Sequence, residues 1–153
     1  MKRLKLFEEY NNYQSDYHKS RYEEYVNKVK NAKLGDIFEE SDIYMYVEYL
    51  VTHGSQSQDY DDSFVDGDLG ERIEQYESYR YELVPIDDIN LDEFTLYEDV
   101  AEEYAERYKK TKTYPPLVLE PKDRYYRIID GNHRGNGLKL AGVDKVYAFV
   151  GIE

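Results

Sequence analysis

The sequence predicts an α+β fold in which a mixed sheet with crossover helices follows an N-terminal, Tyr-rich helical region. Two observations predict this arrangement. Apolar residues at helical spacing dominate the first third of the chain, whereas strand, turn, strand, helix and strand patterns succeed one another in the last third. A length of 153 residues supports one domain with a small appendage, and not two full-sized domains.

The first part of the chain, residues 1–58, is interpreted as a helical hairpin extension. Apolar residues recur at helical spacing through residues 19–33, and Gly35 follows where that helix would end. A second helix is predicted from Asp36 to His53. It has more apolar positions than one helix face can hold, so we expect it to be the most buried element of this half.

Residues 59–81 are interpreted as an acidic linker and a short helix. Five Asp within residues 59–68 raise the possibility of a calcium site, but Phe64 stands where an EF-hand loop requires its turn glycine. A solvated loop is therefore the favoured interpretation of this segment. A short helix is predicted over Glu71–Tyr81.

Residues 82–153 are interpreted as one compact domain. Pro85 confines the first strand to a sheet edge or to its own end, and Thr95 and Glu98 have the spacing of a capping box. The elements predicted in order are a strand at Glu82–Ile89, a helix at Thr95–Tyr108, strands at Pro116–Glu120 and Tyr125–Ile129, a helix at His133–Ala141, and a strand at Val146–Val150.

Charge is spread unevenly along this acidic chain. The net charge is -13, with -2 in residues 1–58, -15 in residues 59–108 and +4 in residues 109–153. An anionic ligand would therefore bind in the last third, and extended nucleic acid is disfavoured as a partner. The absence of Cys excludes a disulfide framework and a catalytic thiol. No apolar run approaches a membrane span, so we expect a cytoplasmic protein.

A run of five residues, Asp130-Gly131-Asn132-His133-Arg134, lies where a predicted buried strand gives way to a helix. The N–H groups at a helix N-terminus, reached through a glycine that leaves the backbone bare, bind phosphate oxygens. Arg134 offers a planar donor and His133 a further one. The alternative is that Asp130 caps the helix, Gly131 makes the turn, and His133 and Arg134 are solvated surface residues.

These residues and their surroundings resemble the ParB/sulfiredoxin superfamily. The resemblance rests on Tyr114 to Leu119, Tyr126 to Arg134, Gly142 and Val146 to Val150, and covers about residues 82–152. It implies a ParB/sulfiredoxin-like sheet and a Gly-x-His-Arg turn that grips nucleotide phosphates through Gly131, Asn132, His133 and Arg134. Sulfiredoxin chemistry is excluded, because Asn132 replaces the catalytic Cys. Only three residues follow the last predicted strand, so we expect no ParB-type helix-turn-helix.

The acidic residues are most similar to those of the free serine kinase branch. That resemblance implies Asp130 and Glu93, or less closely Asp92, as catalytic acids, with Asp130 also a magnesium ligand. Gly135 and Gly137 depart from the family pattern, which prefers helix formers there. Two such glycines cost about 1 kcal/mol each relative to Ala, so either the backbone packs closely or the helix starts loosely.

Three functions remain open after sequence analysis. The first is a domain that binds ATP or CTP with magnesium and hydrolyses the nucleotide or transfers its phosphate. The second is a non-catalytic module in which a nucleotide switches the contacts of the Tyr-rich N-terminal half with a protein partner or a second copy of the chain. The third is a ParB-like nuclease or DNA-binding protein, which the acidic middle disfavours.

Overall fold

A computed structural model describes residues 21–52, 68–91 and 98–153. Its centre is a six-stranded mixed sheet with the strand order β1-β2-β6-β4-β5-β3. The parallel pairs are β4 with β6 and β3 with β5, and the other three pairs are antiparallel. The strands are β1 (Ile37–Glu39), β2 (Ser78–Pro85), β3 (Ile89–Asn90), β4 (Leu117–Pro121), β5 (Tyr126–Asp130) and β6 (Lys145–Gly151).

Helices cover both faces of this sheet. Residues 21–30 form the described part of α1, and a 3-10 turn at Ile86–Asp88 separates β2 from β3. The remaining helices are α2 (Glu40–Thr52), α3 (Asp68–Ile73), α4 (Glu98–Thr111) and α5 (Asn132–Leu140). The fold class predicted from the sequence, a mixed sheet with crossover helices, is confirmed.

Successive residues of one strand belong to the two opposite cores, as the two-residue period of a strand requires. In β4, Val118 belongs to the core under α1, α2 and α3, whereas Leu117 and Leu119 belong to the core that includes Leu138 of α5. In β6, Phe149 faces the first core. The near-continuous apolar sequence of β4 follows from burial on both faces.

The N-terminal half is more closely joined to the sheet than a helical hairpin would be. The predicted helix from Asp36 is wrong at its start, because Ile37–Glu39 pair with β2 as an edge strand and α2 begins only at Glu40. A salt bridge of 3.0 Å joins Lys28 of α1 to Asp42 of α2. The division into residues 1–58, 59–81 and 82–153 stays a prediction.

Two other predicted boundaries differ from the structure. The helix predicted over Glu71–Tyr81 ends at Ile73, and β2 already begins at Ser78. Tyr79 and Tyr81 are two residues apart, which places both on one face of the strand and in one core cluster. Pro85 is the last residue of β2, at the strand's own end as predicted. The predicted continuation of this strand to Ile89 is wrong, because Ile86–Asp88 form a 3-10 turn and Ile89–Asn90 form the separate strand β3. The predicted acidic loop and the capping residue Thr95 lie outside the described residues.

Within the described ranges, no helix has the length and apolar character needed to cross a membrane.

Candidate functional site

The junction between β5 and α5 is built on a glycine turn. Gly131 has φ 111° and ψ 26°, a left-handed conformation that side chains with a Cβ rarely adopt. A Cβ at this position would lie 2.6 Å from Cδ2 of Leu117, so space as well as backbone angle requires glycine here. The N–H of Gly135 donates to the Gly131 carbonyl at 2.7 Å, which closes the first turn of α5.

Gly131 occupies the N-terminal capping position of α5 and has no side chain to cap it. The capping residue is therefore Gly131, and not Asp130 as the alternative interpretation expected. The first-turn backbone thus keeps the anion-binding character of a helix N-terminus. Asn132 and His133 begin the helix and are both partly exposed, so a ligand can reach the turn from solvent.

Asp130 and Arg134 form a buried ion pair beneath this turn. Their side chains are 7% and 1% exposed, and Nη2 of Arg134 lies 3.5 Å from Oδ2 of Asp130. The same Nη2 donates to the carbonyl of Pro116 at 2.9 Å. The alternative of a solvated Arg134 is therefore wrong, because its guanidinium ties the turn to the residue that precedes β4.

The guanidinium of Arg134 has donors left over. Nε and Nη1 are buried and have no hydrogen-bond partner among the described residues. A buried cation with unsatisfied donors is costly, and it is stabilised when an anion or a polar ligand lies close to it. Arg134 therefore supplies a fixed positive charge under the turn.

Two tyrosines outside the turn lie within electrostatic reach of this charge. Burial raises the pKa of Tyr46 in α2 to about 12, and the nearby charge of Arg134 opposes that rise. Burial also raises the pKa of Tyr114, the residue before Pro115, and Arg134 again acts in the opposite direction. Sequence analysis did not connect either tyrosine with the site, since both are distant from Arg134 in the chain.

The remaining candidate residues have different surroundings. Nδ2 of Asn136 donates to the carbonyl oxygen of Asn132 at 2.8 Å and lies 3.3 Å from its Oδ1, so Asn132 is held in place by its own helix. Glu93 and Asp92, the candidate second acids, lie outside the described residues. The catalytic pairing of Asp130 with Glu93 stays a prediction.

Magnesium was predicted to bind through Asp130. Over residues 21–52, 68–91 and 98–153, no three His, Asp or Glu side chains come together as a metal-binding group. Magnesium ions are commonly held by one or two carboxylates together with waters and substrate phosphates. The single carboxylate of Asp130 is compatible with that mode of binding, but not with a site made of protein ligands alone.

The two helical glycines that depart from the family pattern are explained by close packing. A Cβ on Gly137 would lie 2.6 Å from the carbonyl oxygen of Ala101 and 2.6 Å from Cβ of Tyr104, both in α4. A Cβ on Gly135 would lie 2.8 Å from Cδ2 of Leu91. Of the two explanations left open by the sequence, the structure supports close approach of the backbone.

Comparison with family models and with curated proteins finds no match. Comparison with solved structures finds similar folds. Sulfiredoxin from Arabidopsis thaliana is 14% identical, with a TM-score of 0.41 over 46% of this chain and 82% of its own. ParB from Caulobacter crescentus, complexed with CTP-gamma-S, is 18% identical, with a TM-score of 0.42 over 48% of this chain and 45% of its own. Free serine kinase in complex with AMP is 25% identical, with a TM-score of 0.42 over 46% of this chain and 30% of its own.

These three proteins have the ParB/sulfiredoxin fold that the sequence predicted. The likeness concerns the fold of about half of this chain, and the matched part spans less than half of the ParB and kinase chains. The role of each residue therefore has to be argued from this chain's own geometry.

Proposed function

We propose that the turn from Asp130 to Arg134 binds the phosphate groups of a nucleotide. The observation that carries the proposal is the fully buried positive charge of Arg134 beside a left-handed glycine that begins a helix. A helix N-terminus and a guanidinium both favour an anion, and their effects add where both face one point. The backbone at Gly131 carries no side chain that would keep a phosphate away.

The identity of the ligand as ATP or CTP comes from the resemblance of the motif. The local charge favours an anionic ligand in the last third of the chain, which carries +4, whereas the middle carries -15. A single nucleotide needs one positively charged site, in contrast to a nucleic acid, which needs a track of them.

Phosphoryl transfer or nucleotide hydrolysis is the reaction that this arrangement best fits. Asp130 would act as the catalytic carboxylate or as the magnesium ligand, and Glu93 as a second acid. Magnesium, when bound, would neutralise charge on the transferred phosphate. Asp130 is paired with Nη2 of Arg134 at 3.5 Å, so we expect catalysis to require that phosphate oxygens compete for this one nitrogen and release the carboxylate.

A second candidate is a nucleotide-controlled interaction module without catalysis. It is favoured by the position of α2, whose Tyr46 packs in the same buried cluster as Val118 and Ile129, next to the turn. A ligand that moves Arg134 would therefore also affect the packing of α2. The N-terminal half would then transmit nucleotide binding to a protein partner or a second copy of the chain.

Calorimetric titration of the whole chain with ATP and CTP, with and without magnesium, tests binding at the turn. The informative variant is Asn132→Asp, because an acid in the first turn of a helix favours folding but repels phosphate. One added negative charge about 4 Å from a phosphate costs about 1 kcal/mol per unit charge even at the dielectric constant of water, so affinity should fall about tenfold or more. The matched control is Asn27→Asp, the same change on an exposed position of α1.

Equal affinity in wild type, Asn132→Asp and Asn27→Asp would contradict binding at the turn, as would no binding of either nucleotide by wild type. Once binding is established, release of ADP or CDP during incubation separates the two candidates. Slow or absent turnover combined with a nucleotide-dependent change in oligomeric state would support the interaction module. Turnover that Asp130→Asn abolishes without loss of binding would support catalysis.

A further inference from the structure

A cleft near the glycine turn shares one residue, Arg134, with the turn. The cleft lies between the C-terminal end of α4, residues 113–115 and α5, and its volume is about 30 Å³. None of residues 130–133 lines it. Its lining includes three tyrosines, one leucine and two arginines, namely Tyr104, Tyr108, Tyr114, Leu138, Arg107 and Arg134.

The charges around this cleft are all positive. No acidic residue lines it, although acids outnumber bases by thirteen in the whole chain. Arg134 is 1% exposed, and its Nε and Nη1 are buried without a partner among the described residues. Its Nη2 is already engaged by Pro116 and Asp130. The donors that remain on this cation call for an acceptor that the neighbouring protein atoms do not provide.

Arg107 adds a second cation at the solvent side of the cleft. It is exposed, and its Cζ lies 5.0 Å from the ring centroid of Tyr104, within the range of a cation–π contact. The rings of Tyr108 and Tyr114, which also line the cleft, lie 5.9 Å apart in an edge-to-face arrangement. The lining therefore combines aromatic surface with a buried positive charge.

The hydroxyl of Tyr114 provides a further polar group. It accepts the N–H of Tyr147 at 3.0 Å, which leaves its hydrogen as a donor. Because burial raises the pKa of Tyr114, this hydroxyl keeps its proton at neutral pH. The polar groups named here that border the cleft are therefore donors.

We propose that this cleft is a second binding site, separate from the nucleotide turn, for the carboxylate of a small acid with an apolar or aromatic body. A volume of about 30 Å³ has room for about two water molecules. A carboxylate is a compact, planar anion and a common partner of a guanidinium. Aromatic walls favour a ligand whose remaining atoms are flat and apolar.

NMR titration of the full chain with sodium benzoate, sodium acetate and inorganic phosphate tests this site. We expect benzoate at millimolar concentration to shift the amide signals of Thr113, Tyr114 and Leu138, with acetate binding more weakly and phosphate weakest. Saturating ATP with magnesium should leave the benzoate site available. Displacement of benzoate by ATP would overturn the proposal of a separate site.

Two exposed positions allow variants that leave the core intact. Arg107→Glu should weaken benzoate binding about tenfold, equivalent to about 1.4 kcal/mol. Thr113→Trp should block the cleft sterically. The control is Lys110→Glu, the same charge reversal on an exposed α4 residue that does not line the cleft.

Unchanged benzoate affinity in Arg107→Glu or in Thr113→Trp would overturn the proposal, as would the absence of benzoate binding to wild type. Shifts confined to residues 131–133 would also overturn it, because they would assign the ligand to the turn. Benzoate binding that persists in Asn132→Asp, a variant designed to lose nucleotide, would support the cleft whether or not the proposed nucleotide function holds.

Discussion

At the scale of single residues, the site depends on a charge that the fold buries. Arg134 is tied by one nitrogen to the carbonyl of Pro116 and to the carboxylate of Asp130. The turn is therefore supported by an ion pair that affects stability and ligand binding together.

Arg134→Ala should lower the free energy of unfolding by about 3–5 kcal/mol, because it leaves the buried carboxylate of Asp130 without its cation. Urea denaturation measures this loss. Lys139→Ala, an exposed position on the same helix, is the control and should change stability by less than about 0.5 kcal/mol. If Arg134→Ala is as stable as wild type, that result would contradict the burial of the guanidinium against Asp130.

This prediction changes how the turn should be tested. Loss of nucleotide binding in Arg134→Ala would report unfolding as readily as a lost contact. Asn132→Asp reduces that ambiguity, since Asn132 is partly exposed and its amide oxygen accepts from Nδ2 of Asn136 at 3.3 Å. A carboxylate at position 132 can accept the same hydrogen bond.

At the scale of elements, the closeness of α4 and α5 decides where the cleft and the turn lie. The two helices touch at Gly137. Backbone and Cβ atoms of α4 occupy the space that a side chain at position 137 would need. Interhelical contact without intervening side chains brings Tyr104 and Arg107 of α4 close to Arg134 and Leu138 of α5. The glycines are thus a packing requirement that outweighs their low helix propensity.

Gly137→Ala should destabilise the protein by about 1–3 kcal/mol, although Ala is the better helix former, because the methyl group meets main-chain atoms that cannot move alone. Gly135→Ala is the matched comparison, since its methyl group would meet the end of the Leu91 side chain, which can rotate. We expect a smaller loss there. Thermal denaturation measures both, and a larger loss for Gly135→Ala would contradict this account of the packing.

Most elements of the C-terminal half could be predicted because their signals are local. The strands β4, β5 and β6 and the helix α5 lie within about two residues of their predicted bounds, since apolar alternation and glycine stops are properties of short segments. The start of α2 could not be predicted in this way. Residues 37–39 pair with Ser78–Arg80, about forty residues away, and nothing in their own sequence indicates a strand.

The candidate site was predicted only in part for the same reason. The glycine at position 131 predicted a turn, and its left-handed conformation agrees with that prediction. The burial of Arg134 depends on Pro116, and the proximity of Tyr46 depends on how α2 lies across the sheet. These are tertiary relations, which no local pattern of residues contains.

At the scale of the whole molecule, two helical layers enclose the sheet and bury many tyrosines. The chain has 19 Tyr, and burial raises the pKa of Tyr46 and of Tyr81 to about 12, above the ordinary value of 10.0. A buried phenol is stabilised in its neutral form. Of the described tyrosines, Tyr22, Tyr46, Tyr79 and Tyr104 are core residues, and the others are partly buried or exposed.

These raised pKa values predict alkaline unfolding. Because the folded pKa of Tyr46 lies above its unfolded value, its contribution to stability is complete below about pH 10 and is lost as pH rises towards about 12. Urea denaturation at increasing pH should show this decline, together with late formation of tyrosinate absorbance. Tyr46→Phe should make the decline smaller, and a decline of the same size in that variant would contradict the assignment.

The charge distribution of the molecule bears on its partners as well. The basic residues of the last third would supply the proposed phosphate site, whereas the acidic middle would repel a long polyanion. Gel-shift assays with duplex DNA at two salt concentrations should therefore show no specific complex. A complex that weakens steeply with salt would favour the ParB-like DNA-binding alternative.

The central claim is that a nucleotide phosphate binds at the turn after β5, and NMR titration of wild type with ATP and magnesium tests it most directly. The account predicts that the largest amide shifts occur at Gly131, Asn132 and His133, and that Asn132→Asp loses them while Asn27→Asp keeps them. Shifts that map elsewhere, or no change at these three amides at saturating nucleotide, would contradict it.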